Sequence, residues 1–259
     1  MFTRIASLFI PRPFRCASFR LNAMIHPMIR QAVRMARRIA QSAFGKEIYY
    51  RAETCCPRLT LGNLDAGFTI NPTLLTENSV IYSFGIGTDI SFDLECIRRF
   101  SADVYAFDPT PRSLIWIEGQ TVPSKLHIHS YGVSNLDGTI VLHPPINPKH
   151  VSYSLVERPG EGAICPVYRL STIMRTLGHT HIDLLKMDIE GSEYDVIDDL
   201  LREQLPIAQI CVEFHHRWPE IGSRKTNLAI EHLRSAGYRL FHVSPSGEEF
   251  SFIRASEST

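Results

Sequence analysis

The chain has no acidic residue before Glu47, although its 259 residues carry 27 acids against 27 Lys and Arg. Its first fifty residues hold eight Arg and one Lys against that single acid, so they carry +8 and the remainder −8. This implies a basic arm on a mildly acidic globule. An acidic globule lacks the electrostatic footprint of extended nucleic-acid binding, so no nucleic-acid partner is expected. No apolar run approaches the ~20 residues that span a bilayer. The longest near the N-terminus, Leu21–Ile29, contains His26 and Pro27. Metal-ligand spacing is missing too, because the six Cys form no C-x-x-C pair. Cys96 and Cys211 lie in apolar periodic segments, where a free Cys is a small core residue. A reducing, cytoplasmic compartment is expected, and the 44% hydrophobic content is enough for one large core.

Three parts are expected: a basic arm (1–46), a connecting or lid segment (47–79) and a main domain (80–259). Pro11 and Pro13 break the first part of the arm. From Met28 to Phe44 the pattern is helical, with Ile29, Ala32, Val33, Ala36 and Ala40 on one side and Arg30, Arg34, Arg37 and Arg38 on the other. Such a helix either packs on the domain, lies on an anionic membrane surface, or belongs to a targeting peptide. The connection is punctuated by Pro57, Gly62, Gly67 and Pro72, with short apolar pieces at Leu59–Leu61 and Phe68–Ile70.

From Val80 the chain repeats a β/α unit. Val80–Phe84 runs into Gly85-Ile86-Gly87-Thr88-Asp89 and then a helical stretch, which is how a doubly wound sheet begins. Glycines there let the backbone approach a ligand closely. A second strand ends in Asp108, placed either to bond ribose hydroxyls or to cap the helix near Arg112. Leu126–Val133 reads as a third strand, and Asn135-Leu136-Asp137-Gly138 as a hairpin turn into Thr139–Leu142. His143–Gly162 is Pro-rich and long enough for a lid. A strand near Pro166–Leu170 and a helix capped by Ser171 come next. The series closes with strands at Ile182 and Ala208, a helix over Asn227–Ala236, and a terminal hairpin of Tyr238–Val243 with Phe250–Arg254.

The most informative stretch is Ile182–Glu193, I-D-L-L-K-M-D-I-E-G-S-E. It is an apolar strand broken by charges and bounded by a glycine, as a buried strand is where it ends at a site. A Lys186–Asp188 pair satisfying itself is the bland account, but it leaves Glu190 and Glu193 unexplained. The next strand, I-C-V-E-F-H-H, buries Glu213 and finishes in His215 and His216. Because α/β sheets bind ligands at the C-terminal ends of parallel strands, Asp188, Glu190, Glu213 and His215 are the catalytic candidates. Their oxygens also suit a divalent cation, though no complete metal site is legible.

Lys186-Met187-Asp188-Ile189-Glu190-Gly191-Ser192-Glu193 resembles the signature of the FkbM-type methyltransferases, which use S-adenosylmethionine, and the resemblance extends over Val80 to Ser244. It implies a Rossmann-like α/β fold: a seven-stranded, mostly parallel sheet with helices on both faces and a C-terminal antiparallel hairpin. It further implies O-methylation of a small-molecule or glycan acceptor on a sugar, lipid or secondary metabolite. Gly85 and Gly87 would hold the cofactor's methionine end, Asp108 its ribose, and Gly132 would lie beside the adenine. Where such enzymes usually carry an acid two residues before the first glycine, this chain has Ser83, a hydrogen-bonding group without charge. Asp89 is the expected replacement carboxylate, in the place of a later glycine.

Two other functions fit parts of the pattern. A nicotinamide-dependent oxidoreductase shares the glycine turn and ribose acid, but Ile90 occupies the third glycine of G-x-G-x-x-G. A catalytically silent protein in peripheral membrane contact through the basic helix would have no use for Asp108, Asp188 and Glu190.

Overall fold

The computed structural model describes residues 47–63, 66–143 and 162–255. The arm helix expected at Met28–Phe44 and the Pro-rich lid segment 144–161 lie outside these residues. Among the described residues, no helix is long and apolar enough to cross a membrane.

Seven strands form the central sheet: β3 (Val80–Phe84), β4 (Asp103–Phe107), β5 (Leu126–His129), β9 (Ile182–Met187), β10 (Ile207–Glu213), β11 (Tyr238–Val243) and β12 (Glu249–Arg254). Their spatial order is β11-β12-β10-β9-β3-β4-β5. Pairing is parallel from β5 through β10, whereas β12 runs antiparallel to both β10 and β11. The fold is therefore the expected Rossmann-like sheet closed by an antiparallel hairpin.

Side-chain alternation sends the core to both faces. Tyr82, Phe84, Leu185, Met187, Ile210 and Val212 join one apolar cluster, while Ile81, Leu184 and Cys211 join the other. Helices α3 (Leu170–Leu177), α4 (Glu193–Arg202) and α5 (Gly222–Ser235) cover the first face through Ile173, Ile197 and Ile230. Helices α1 (Ser91–Phe100) and α2 (Pro111–Glu118) cover the second through Phe92, Cys96 and Ile117.

Residues 47–79 pack against this body. Strands β1 (Leu59–Leu61) and β2 (Phe68–Ile70) form an antiparallel pair whose Leu61, Phe68 and Ile70 enter the second cluster. Buried Gln209 accepts from the Asn71 amide at 3.0 Å, and Ser251 Oγ donates to the Thr69 carbonyl at 2.6 Å. Glu47 is anchored by His216 at 2.5 Å and Arg217 at 2.9 Å.

One local expectation fails. The third strand breaks after His129, and β6 (Gly132–Val133) leaves the main sheet. With β7 (Gly138–Leu142) and β8 (Ala163–Tyr168) it forms a small sheet ordered β6-β8-β7. Residues 135–138 therefore do not close a hairpin, because β8 lies between the strands they join. Asp137 is instead turned onto the start of α3, accepting from the Arg169 amide at 2.8 Å and Thr172 Oγ1 at 2.9 Å. This is the capping expected of Ser171, whose side chain does not cap that helix.

Candidate active site

The C-terminal ends of β3, β4, β9 and β10 open on a cavity of about 390 Å³. Its walls include Gly85–Asp89, Asp93, Asp108, Gly132, Lys186, Asp188, Glu190 and Glu213. Ten site residues were expected from sequence, and all but Ser83 and His215 line it directly; those two sit behind the wall, 0% and 7% exposed.

The glycine turn is shaped by its neighbour strand. A Cβ on Gly85, at φ +79°, would meet the Asp188 carbonyl oxygen at 1.6 Å. The demand for glycine thus comes from close packing of two strand ends. Gly87 donates its amide to Asp108 Oδ2 at 2.9 Å, while Asp108 Oδ1 accepts from the Thr110 amide at 2.9 Å and its hydroxyl at 2.6 Å. Asp108 therefore braces both the turn and the start of α2 from the end of β4.

Asp89 is tied outward. Its Oδ1 accepts from the Ser91 amide at 2.7 Å and its Oδ2 from Asn63 at 2.9 Å. Against the opposing effect of burial, these bonds hold its pKa below the usual value. Asp93, in the first turn of α1, was not singled out from sequence, yet it lines the cavity at 2% exposure. Neither its Oδ1 nor Ser83 Oγ has a partner at hydrogen-bonding geometry. The nearby Ser83 hydroxyl and Lys186 charge favour its ionised form, but burial outweighs both and pushes its carboxyl up to about 6.

Lys186 does not serve mainly as a partner for Asp188. Its ammonium donates to the Phe84 carbonyl at 3.2 Å and the Gly85 carbonyl at 2.7 Å, fastening β9 to the glycine turn. Asp188 follows β9 and Glu213 ends β10, and the register that sets Val212 opposite Met187 brings the two acids together. Burial first, and then repulsion from Glu190, raises Asp188 to about 6 against the pull of Lys186 and His215. Burial and the nearness of Asp188 raise Glu213 to about 8.

His215 has a carboxylate close to each ring nitrogen. Its Nδ1 lies 3.1 Å from Glu193 Oε1 and its Nε2 3.1 Å from Glu190 Oε2, with Asp188 at 3.8 Å. Burial opposes its charge, but Glu193 and Glu190 prevail and push its pKa to about 12. Glu193, fully buried, also accepts from the Ile189 and Gly191 amides, and so supports the turn where Glu190 sits at φ +54°. Sequence reasoning noted Glu193 in the cluster but gave it no role. Ligating atoms of Asp188, Glu213 and His215 lie within 4.8 Å of one another. The same three side chains could hold a metal ion if His215 gave up its proton.

The cavity also has apolar lining, from Pro109, Val133, Ile140, Leu142 and Val167 beside Gly132. Gly132 admits Pro109, whose Cγ would lie 3.1 Å from an added Cβ.

The family described as Methyltransferase FkbM domain matches residues 76–240. "Probable methyltransferase-like protein 24" of Rattus norvegicus is 25% identical over 190 residues, covering 70% of this chain and 47% of its own. The protein of that name from Homo sapiens is 25% identical over 189 residues, covering 69% and 46%. The chain thus spans about half the length of these curated relatives. Among solved structures, Methyltransferase FkbM from Methylobacillus flagellatus KT is 17% identical with a TM-score of 0.44, covering 69% of this chain and 44% of that one. Aeropyrum pernix fibrillarin, solved with natively bound S-adenosyl-L-methionine, is 10% identical with a TM-score of 0.36, covering 70% and 66%. Since the family match takes in most of the chain, from the approach to β3 through the middle of β11, this protein belongs to the FkbM methyltransferase family.

Proposed function

We propose that this chain binds S-adenosylmethionine and methylates a hydroxyl on a sugar, lipid or secondary-metabolite acceptor. The observation that carries the proposal is one cavity lined by three kinds of group: the glycine turn with a buried acid, apolar side chains, and a carboxylate cluster. The residues fit the cofactor on physical grounds. Pro109, Val133 and Val167 offer a flat apolar slot for a purine. Asp108 stands between slot and turn, where ribose hydroxyls would reach its remaining lone pairs. The orphaned Asp93 oxygen marks a polar position that the protein alone leaves unsatisfied.

The cofactor supplies an electrophilic methyl group, and the chain's part is to align an acceptor and remove its proton. Asp188 is the base: an acid raised to about 6 is ionised at neutral pH yet basic enough to accept a proton. Glu213, raised to about 8, still holds its proton there and donates to Asp188 or to the acceptor oxygen. His215 is not the base, since Glu193 and Glu190 favour its protonated form. It acts as a fixed positive charge that keeps Asp188 ionised. Glu190 and Glu193 orient that charge.

The test is methyl transfer from labelled S-adenosylmethionine to a panel of sugar, lipid and polyketide hydroxyls. Asp188→Asn should lower turnover about 10²–10⁴-fold, the range of general-base catalysis. Full turnover in that variant removes Asp188 from the role. The cytoplasm, with peripheral membrane contact through the basic arm, is the location this function suits.

A further inference from the structure

Asp89 and Asp93 are two acids near the glycine turn, and they are in opposite situations. Asp89 spends both oxygens on Ser91 and Asn63, stabilising the start of α1 and the loop beside β1. Asp93 is 2% exposed, lines the cavity, and has a side-chain oxygen without a partner. Beside it Ser83, 0% exposed at the end of β3, backs the carboxylate from behind the wall. A buried carboxylate oxygen in a cavity wall with no partner at hydrogen-bonding geometry leaves room for a donor from a ligand. The nearby cation does not supply one in full, since Lys186 already donates to the Phe84 and Gly85 carbonyls.

We propose that Asp93 is the receptor for an α-ammonium group, the amino-acid end of the bound cofactor. The inference rests on the cofactor assignment above and assigns the charge to a helix residue in place of Asp89. An ammonium has three donors and no acceptor, so it matches a carboxylate oxygen without a partner at hydrogen-bonding geometry. Its arrival would also favour the ionised form of a carboxylate that burial otherwise disfavours. The position follows from the fold. Asp93 lies between Phe92 and Cys96, both buried, so the inner face of α1 aims it at the end of β3.

The test is calorimetric titration of wild type, Asp93→Asn and Asp89→Asn with two probes. S-adenosylhomocysteine carries the amino-acid end, and 5′-methylthioadenosine keeps the nucleoside without it. Asp93→Asn should weaken the first about 10–100-fold, the scale of a charge-assisted hydrogen bond, and leave the second within about twofold. Asp89→Asn should discriminate far less between them. Equal losses for both probes, no loss for either, or selective loss only in Asp89→Asn overturns the proposal. A wild type that binds neither probe instead removes the cofactor assignment, and the inference with it. If Asp93→Asn does not fold, the wild type decides with desamino-S-adenosylhomocysteine. Binding at least tenfold weaker than the parent is expected, and equal binding means that no acid recognises the ammonium.

Discussion

The Asp188 carbonyl oxygen occupies the space where a side chain on Gly85 would begin, 1.6 Å from the position of its Cβ. The C-terminal ends of the first and fourth strands of the parallel series are therefore locked together, and the glycine turn and proposed base form one rigid unit. Gly85→Ala forces either a backbone shift or rupture of the Lys186 bonds to Phe84 and Gly85. Together with an alanine at φ +79°, this should cost about 3 kcal/mol or more. Thermal unfolding should show a fall in Tm of about 6–12 °C. A variant that melts with wild type would mean that the strand ends are not packed as described.

Asp108 carries a mixed burden. It accepts from Gly87 and twice from Thr110, so its replacement removes bracing as well as the proposed ribose acceptor. Asp108→Asn should lower cofactor affinity at least about tenfold and also cost about 1–3 kcal/mol of stability. Thr110→Val separates the two effects, since it removes one bracing hydroxyl and leaves the carboxylate. It should lower Tm with little change in affinity. Equal affinity losses in both variants would assign Asp108 to the scaffold alone.

Glu213 gives a pH signature. Its folded pKa is raised from 4.5 to about 8, so the folded chain binds the proton more tightly than the unfolded chain. Its contribution to stability is full below pH 4.5, declines between there and about 8, and is flat above. Glu213→Gln removes the titration. The variant should match wild type near pH 4.5 and exceed it at pH 8, by roughly 1–3 kcal/mol after allowance for relaxation. Stability curves that stay parallel across this range would show that Glu213 does not share a crowded site with Asp188.

Glu193 tests the imidazolium. Glu193→Gln leaves a buried, charged His215 with one fewer carboxylate, at a cost on the order of 3–5 kcal/mol. The His215 proton signals, followed by NMR against pH, should then titrate below the wild-type position near 12. An unchanged titration would place the ring's charge under the control of Glu190.

Much of the sheet was legible because its strands are short apolar runs ending in Gly or Asp, a local pattern that survives folding. The small sheet was not, because β8 enters between β6 and β7 from more than twenty residues away. Asn135-Leu136-Asp137-Gly138 carries the local chemistry of a tight turn whatever strand comes between. Asp188, Glu190 and Glu213 could be found because charges inside apolar strands stand out. Asp93 could not be found this way, and Glu193 could be noted but given no role, since acids in the first turn of a helix are ordinary. The available signal was their phase: Asp93 stands three residues before Cys96 and Glu193 four before Ile197, on the faces that helices turn inward. His215 was visible as a strand-end histidine, but its fixed charge depends on Glu190 and Glu193 meeting it from another strand's end.

The central claim is that the glycine turn, Asp108 and the apolar slot together form a site for S-adenosylmethionine. Isothermal titration of the full chain with S-adenosylmethionine and, separately, with NADH addresses it most directly. Saturable, one-to-one binding of S-adenosylmethionine is expected, weakened at least about tenfold by Asp108→Asn, with no saturable NADH binding. Saturable binding of NADH together with no heat from S-adenosylmethionine would contradict the account.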